Sequence, residues 1–357
     1  MELERYKRNL PIIGVSGQNK LSNASVLIVG CGGIGCPLSL YLAGTGVGKI
    51  GLIDNDVIEL SNLQRQIAYV NRDIGKNKVT TLALQLRELN PTIEVKDYFL
   101  RLKDDNADSI FYEYDLIVDG SDNFQTRYLV NDICCRLNKS FISASIFKDS
   151  GQLSFFDIKN GCYRCLYPEV PPINLSPSCS SGGVLGPSVG IISTMCAQMV
   201  INTIARDICY AGKSYIFNGA TLEWLAYSYK QDNSCEACVE KKSSIVDENI
   251  NIDVVFDDTL NISDYKKISD FFIIDIREDW GRELAPFVRK DMSITYKEII
   301  SSYNFENYKD QSVLLCCATG IRSRAAVHFL KNKGYSNIFS LDKGIDAYLY
   351  YQKSLEK

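Results

Sequence analysis

Val26-Leu27-Ile28-Val29-Gly30-Cys31-Gly32-Gly33-Ile34-Gly35 decides how this chain is read. Four apolar residues predict a buried strand, and the glycines predict a tight turn into a helix. A chain that turns sharply and lets a phosphate approach its backbone needs residues without a Cβ. The helix starting near Gly35 aims free N–H groups and its positive dipole end at that phosphate. The next apolar run, Ile50-Gly51-Leu52-Ile53, ends at Asp54. A carboxylate about 20 residues past such glycines is placed to bond ribose hydroxyls. Strand, turn, helix and acid together predict a nucleotide site.

Further on stands Ser61-Asn62-Leu63-Gln64-Arg65-Gln66. A dehydrogenase has no use for an arginine-bearing polar loop just beyond its ribose carboxylate. An enzyme that grips a triphosphate does, because several negative charges need fixed cations.

Outward from this point, strands fit Val26–Val29, Ile50–Ile53, Leu116–Asp119 and Phe141–Ala144, and a helix fits Val79–Leu89, stopped by Asn90-Pro91. Alternation of strand and helix predicts a mostly parallel sheet covered on both faces. After Gly151 the texture changes: Gln152–Asp157 and Tyr215–Tyr229 read as further strands, and Gly190–Ile208 as a long, buried apolar helix. Residues 241–251 are polar and charged and read as a linker between domains at 1–240 and 252–357. Strand candidates in the second domain are Phe271–Ile276, Val313–Cys316 and Asn337–Leu341.

A net charge of −4 argues against nucleic acid or an acidic membrane as the main partner. No apolar run reaches the roughly 18 residues of a membrane span. The stretch Met1–Arg8 lacks a signal-peptide core, so a cytoplasmic protein is expected. The 13 cysteines are then metal ligands, nucleophiles or buried thiols rather than disulfides. The single histidine, His328, makes a Ser/His/Asp triad improbable and reads as a packing or surface residue.

Cys162-Tyr163-Arg164-Cys165 and Cys235-Glu236-Ala237-Cys238 are two CxxC pairs. Four thiolates suit a structural, tetrahedral Zn²⁺ with no open position. Cys317-Ala318-Thr319-Gly320-Ile321-Arg322-Ser323 follows a strand and opens a helix. Cys317, ringed by backbone N–H groups at a helix N-terminus and near Arg322, is favoured as a thiolate. Cys316, one residue earlier in the strand, faces the other way and reads as a core thiol.

Residues 1–238 resemble the MoeB/ThiF branch of the ubiquitin-activating superfamily. The resemblance rests on Arg5-Tyr6-Lys7-Arg8, the Gly30–Gly35 turn, Asp54-Asn55-Asp56, Ser61–Gln66, Gly75-Lys76-Asn77-Lys78, Asp119-Gly120-Ser121-Asp122-Asn123 and the two CxxC pairs. It implies a Rossmann-like, mostly parallel sheet with an antiparallel extension. It also implies ATP-dependent adenylation of the C-terminal glycine of a ubiquitin-like sulfur-carrier protein ending in Gly-Gly. In that reading Asp54 holds the ribose, Asn62, Arg65 and Lys78 hold the phosphates, and Asp122 holds Mg²⁺. Gly30, Gly32, Gly33, Gly35, Asp56, Gln66 and Asn123 complete the ATP pocket, and Arg8 reaches across a homodimer interface. Cys162, Cys165, Cys235 and Cys238 match the family's structural zinc. Cys179, which precedes Gly182-Gly183, matches a cysteine that takes part in sulfur transfer.

The loop at Cys317 resembles the CxxGxRS loop of single-domain rhodaneses, supported by Ile274-Asp275-Ile276-Arg277-Glu278. It implies a smaller α/β rhodanese-like domain whose Cys317 carries a persulfide supplied by a cysteine desulfurase or other sulfur donor. The Gly-His-Ile segment that often follows in rhodaneses is replaced near Leu284-Ala285-Pro286-Phe287. Two rival readings are an adenylyltransferase with an inactive rhodanese domain and a nucleotide-binding scaffold.

Overall fold

The computed structural model describes residues 3–168, 183–241, 259–260, 265, 268, 270–287, 289–301, 305–308, 311–318 and 320–355. They fall into two compact units, one drawn from residues 3–241 and one from 259–355. The linker expected at 241–251 lies outside the described residues except for Lys241.

The first unit has strands β1 (Ser25–Val29), β2 (Lys49–Asp54), β3 (Glu94–Phe99), β4 (Leu116–Asp119), β5 (Phe141–Phe147), β6 (Ser150–Phe156), β7 (Lys213–Asn218) and β8 (Glu223–Ser228). Its helices are α1 (Leu10–Asn23), α2 (Gly35–Thr45), α3 (Lys78–Leu89), α4 (Asp104–Tyr112), α5 (Phe124–Leu137), α6 (Tyr163–Leu166) and α7 (Gly186–Arg206). The strands form one sheet in the order β3-β2-β1-β4-β5-β6-β7-β8. β3 to β5 run parallel, and β6, β7 and β8 add antiparallel pairs. The parallel half with an antiparallel extension is the expected architecture.

Helices cover both faces of the parallel half, as near-continuous apolar strands require. Val26, Ile28, Ile50, Leu52 and Val118 pack with α2, α3 and α7. Leu27, Val29, Ile117 and Ile53 pack with α4 and α5 on the other face. β1 lies between β2 and β4, with Val29 opposite both Ile53 and Asp119. The chain order reverses at β1 and β4, so their following loops diverge and leave a crevice at the strands' carboxyl ends.

Sequence and structure differ in several places. β3 escaped detection because it is an edge strand with Lys96 and Asp97 among its residues, so it lacks an apolar run. The stretch Tyr215–Tyr229 is two strands, with a turn in which Leu222 has φ 61°. The long helix starts at Gly186, with Pro187 in its first turn, four residues before the expected start. It also has the length and composition of a membrane span, alone among the described helices. Val189, Ile192, Cys196 and Val200 bury its inner face in the core, as in a central helix of a globular unit.

The second unit has strands β9 (Thr259–Leu260), β10 (Phe272–Asp275), β11 (Met292–Ser293), β12 (Val313–Cys316) and β13 (Ile338–Leu341). Its helices are α8 (Asp279–Leu284), α9 (Tyr296–Ser301), α10 (Ile321–Asn332) and α11 (Gly344–Leu355). All five strands are parallel, ordered β11-β10-β12-β13-β9.

Candidate functional site

The glycine turn is a place where side chains do not fit. A Cβ on Gly35 would stand 1.9 Å from the Gly30 carbonyl oxygen, so strand and helix could not approach as they do. A Cβ on Gly33 would lie 2.8 Å from Val189 Cγ1 and 3.4 Å from Arg65 Cγ. The second figure is a finding about the site. It puts the stem of Arg65 against the turn, so the polar hexapeptide and the glycines share one pocket.

Asn62 and Gln66 are buried there, 8% and 3% exposed. Asn62 is held by the backbone N–H of Glu59, which donates to its Oδ1 at 3.1 Å. Arg65 Nη1 donates to the Ser61 carbonyl at 3.1 Å. Gln66 Oε1 is buried with no hydrogen-bond partner among the described residues. A buried orphan acceptor points to a missing donor, as a bound ligand supplies.

Asp54 stands at the end of β2 and accepts from Cys31 N–H and Asp56 N–H, both at 2.8 Å. Burial raises its carboxyl above the ordinary value, and Lys78 pulls it back. Lys78 is 5% exposed and donates to Asp56 Oδ2 at 2.8 Å. A buried ammonium paired with one exposed carboxylate is a cation held ready for a stronger anion. Asp122 is exposed on the loop after β4, beside the turn: a Cβ on Gly30 would lie 3.1 Å from the Gly120 carbonyl carbon. Asn123 is the N-cap of α5, accepting from Thr126 N–H at 2.8 Å. Asp119 is buried and accepts from Ser121 N–H and Oγ, which shapes the same loop. Arg8 is exposed.

The paired cysteines converge. Cys162 Sγ lies 3.8 Å from Cys165 Sγ and 3.6 Å from Cys235 Sγ, and Cys165 Sγ lies 3.5 Å from Cys238 Sγ. All four sulfurs lie within 4.8 Å of one another. A Zn–S bond of about 2.3 Å gives tetrahedral edges of roughly 3.8 Å, so the donor set fits Zn²⁺. Asp232 N–H points at Cys165 Sγ at 3.3 Å, a backbone contact that suits a thiolate ligand. Sequence pattern missed Cys135, a buried fifth thiol packed against this cluster from α5.

In the second unit the two neighbouring cysteines separate. Val313, Leu315 and Cys317 belong to one core cluster, and Leu314 and Cys316 to the other. Cys317 Sγ receives Gly320 N–H at 3.1 Å and Ser323 N–H at 3.4 Å, with Ser323 Oγ also at 3.4 Å. Ser340 Oγ donates to Ser323 Oγ at 2.7 Å. This hydroxyl chain was not legible in the sequence, because Ser340 comes from β13. Donors around one sulfur stabilise negative charge on it. The Cys316 thiol is pushed well above its ordinary value, chiefly by burial and then by the Asp275 carboxylate. Asp275 and Arg277 form a buried pair, Nη2 to Oδ2 at 2.8 Å, and Arg277 Nη1 donates to Gly281 O at 3.0 Å. The strand motif thus braces the start of α8. Arg322 is half-buried on α10, and His328 is exposed. Cys179 lies outside the described residues.

A glycine turn faced by fixed cations, and a thiol ringed by backbone donors, define a nucleotide-binding activating fold joined to a sulfur-handling domain. The chain belongs to the ThiF family, which matches residues 6–237, and carries a rhodanese-like domain at residues 261–350. It is 36% identical over 373 aligned positions to the probable adenylyltransferase/sulfurtransferase MoeZ of Mycobacterium tuberculosis, covering 97% of this chain and 93% of that one. It is 42% identical over 246 positions to the adenylyltransferase and sulfurtransferase MOCS3 of Dictyostelium discoideum. That match covers 67% of this chain and 58% of the relative's length. Among solved structures, E. coli MccB with MccA-N7isoASN superposes with a TM-score of 0.60 at 28% identity, over 67% of this chain and 75% of that chain.

Proposed function

We propose that this chain uses ATP to adenylate the C-terminal glycine of a ubiquitin-like sulfur carrier, then converts it to a thiocarboxylate with sulfur carried on Cys317. The observation that carries the reading is Arg65 packed on Gly33, because it joins a fixed cation to a turn shaped for phosphate. The carrier carboxylate attacks the α-phosphorus and pyrophosphate leaves. No protein nucleophile takes part; Asn62, Arg65 and Lys78 neutralise and position the phosphates. Asp122 would hold Mg²⁺, which would supply further charge neutralisation to the triphosphate.

The second step uses the other unit. The outer sulfur of the Cys317 persulfide attacks the activated carbonyl carbon, and AMP leaves as the acyl disulfide forms. A second thiol, for which Cys179 is the candidate, attacks the Cys317 sulfur and frees the thiocarboxylate. A disulfide remains on the enzyme, and a cellular thiol must reduce it before the next cycle. A cysteine desulfurase or another sulfane-sulfur donor reloads Cys317. The described cysteines are free thiols, which suits a cytoplasmic setting.

Carrier-dependent ATP–pyrophosphate exchange tests the first step. A purified chain that shows no exchange with any Gly-Gly-ended ubiquitin-like protein would sink the reading. Structural Zn²⁺ on Cys162, Cys165, Cys235 and Cys238, and a homodimer with Arg8 donated across its interface, belong to the same proposal. Mixing Arg8→Ala chains with Asp122→Ala chains should restore one working pocket per mixed dimer. No recovery in verified mixed dimers would remove the shared site.

A further inference from the structure

A cavity of about 410 Å³ opens between α5, β6 and α6, walled by Phe124, Arg127, Tyr128, Gln152, Tyr163 and Tyr167. That volume lies within the roughly 300–1,000 Å³ typical of ligand sites. Three walls are tyrosines that fix one another: the Tyr128 and Tyr163 rings meet edge to face at 5.1 Å, and the Tyr163 and Tyr167 rings pack at a tilt at 4.9 Å. Gln152 is locked behind them, its Nε2 donating to Tyr167 Oη at 2.7 Å and Ser214 Oγ at 3.1 Å. Nothing in the adenylation chemistry derived above uses these residues.

Arg127 connects this cavity to the active loop. Its Nη2 donates to the Ser121 carbonyl at 3.1 Å, one residue before Asp122. Its guanidinium also lies over the Phe124 ring at 5.2 Å. Its Nε–H is buried with no hydrogen-bond partner among the described residues. A buried donor without an acceptor, in a cavity with aromatic walls, wants a carbonyl oxygen beside an apolar group. A peptide in extended form offers both.

We propose that this cavity reads the carrier's tail: it receives the side chain that precedes Gly-Gly, and Arg127 Nε–H donates to a carbonyl of the tail backbone. The proposal rests on the adenylation reading. The two terminal glycines present no side chain, so the residue before them is the first that a pocket can select. Two extended residues span about 7 Å, which sets the separation between that side chain and the reacting carboxylate. The cavity adjoins the Ser121–Asn123 loop, and that loop adjoins the glycine turn, as such a short tether demands. Aromatic walls select an apolar side chain, and the Arg127 guanidinium repels a cationic one, which would also lose its hydration there.

The test uses the full chain and a ubiquitin-like carrier that supports wild-type pyrophosphate exchange. Changing the carrier residue before Gly-Gly to Lys leaves the enzyme untouched, so folding cannot confuse the result. KM for the carrier should rise at least about tenfold, or 1.4 kcal/mol, with KM for ATP unchanged. Arg127→Gln should likewise raise KM for the carrier and not for ATP. Phe124→Ala should blunt the penalty of the Lys tail, a coupling that a purely structural role of Phe124 would not give. Additive effects of the two changes would overturn the pocket assignment. So would a carrier KM that stays within about twofold in the Lys-tailed carrier. Wild-type enzyme without exchange on any carrier sinks the adenylation reading itself; normal exchange with an indifferent Arg127 sinks only the pocket.

Discussion

The two units solve different problems with the same backbone device, a turn at the carboxyl end of a parallel strand. In the proposed reading, the turn after β1 is a floor for phosphate. Its charged groups come from elsewhere: the cations Arg65 from the polar hexapeptide and Lys78 from the start of α3, and the carboxylate Asp122 from the loop after β4. After β12, the turn is complete in itself. Cys317, Gly320 and Ser323 lie within seven residues, and the sulfur is held by N–H groups of its own loop. The difference follows from the chemistry. Stabilising a triphosphate requires charges spread over several ångströms, so distant segments must converge. Carrying one sulfur requires a single atom with its charge stabilised, which one loop can supply.

This contrast can be broken by mutation, and the largest effect belongs to the distributed site. Asp122→Ala and Arg65→Ala should each lower carrier-dependent exchange at least about 100-fold, near 2.7 kcal/mol of barrier. Both variants should still accept a persulfide on Cys317. Exchange within about threefold of wild type would show that these side chains only decorate the turn.

The metal cluster comes next. About one zinc per chain is expected on metal analysis, and Cys162→Ser should bring it close to zero and lower Tm. The effect should be confined to the first unit's stability, because the thiols form a core cluster of their own that holds no residue of the glycine turn. A metal-free chain that melts like wild type would contradict the assignment.

Cys316 gives the smallest effect and sharpens the contrast between neighbours. It is fully buried on the opposite face of β12, with its thiol pushed well above the ordinary value by burial. Its neutral form therefore persists through pH 7 to 9, so its reactivity should not rise with pH over that range. Cys316→Ala should cost about 1 kcal/mol of stability and leave persulfide loading intact. Mass spectrometry that finds the persulfide on Cys316 would reverse the assignment of faces.

What the sequence made legible tracks the same contrast. The Cys317 loop could be read residue by residue, and period two along a strand separated Cys316 from Cys317. The glycine turn was equally plain, since glycine spacing is local. Convergence was not. No spacing rule puts Arg65 against Gly33, or Ser340 beside Ser323, because those contacts depend on sheet order and helix packing. Arg127 sits in an ordinary helical pattern, and only the fold shows its buried, unpartnered nitrogen. β3 and β11 were missed because a polar edge strand and a two-residue strand carry almost no periodic signal.

The central claim is a division of labour: one unit activates the carrier and the other delivers sulfur. Mass spectrometry of the carrier after incubation with ATP, Mg²⁺ and a sulfane-sulfur donor tests it most directly. Wild-type enzyme should exchange one carboxylate oxygen for sulfur. Cys317→Ala should stop at the acyl-adenylate while pyrophosphate exchange continues. Thiocarboxylate formed by Cys317→Ala at the wild-type rate would contradict the account.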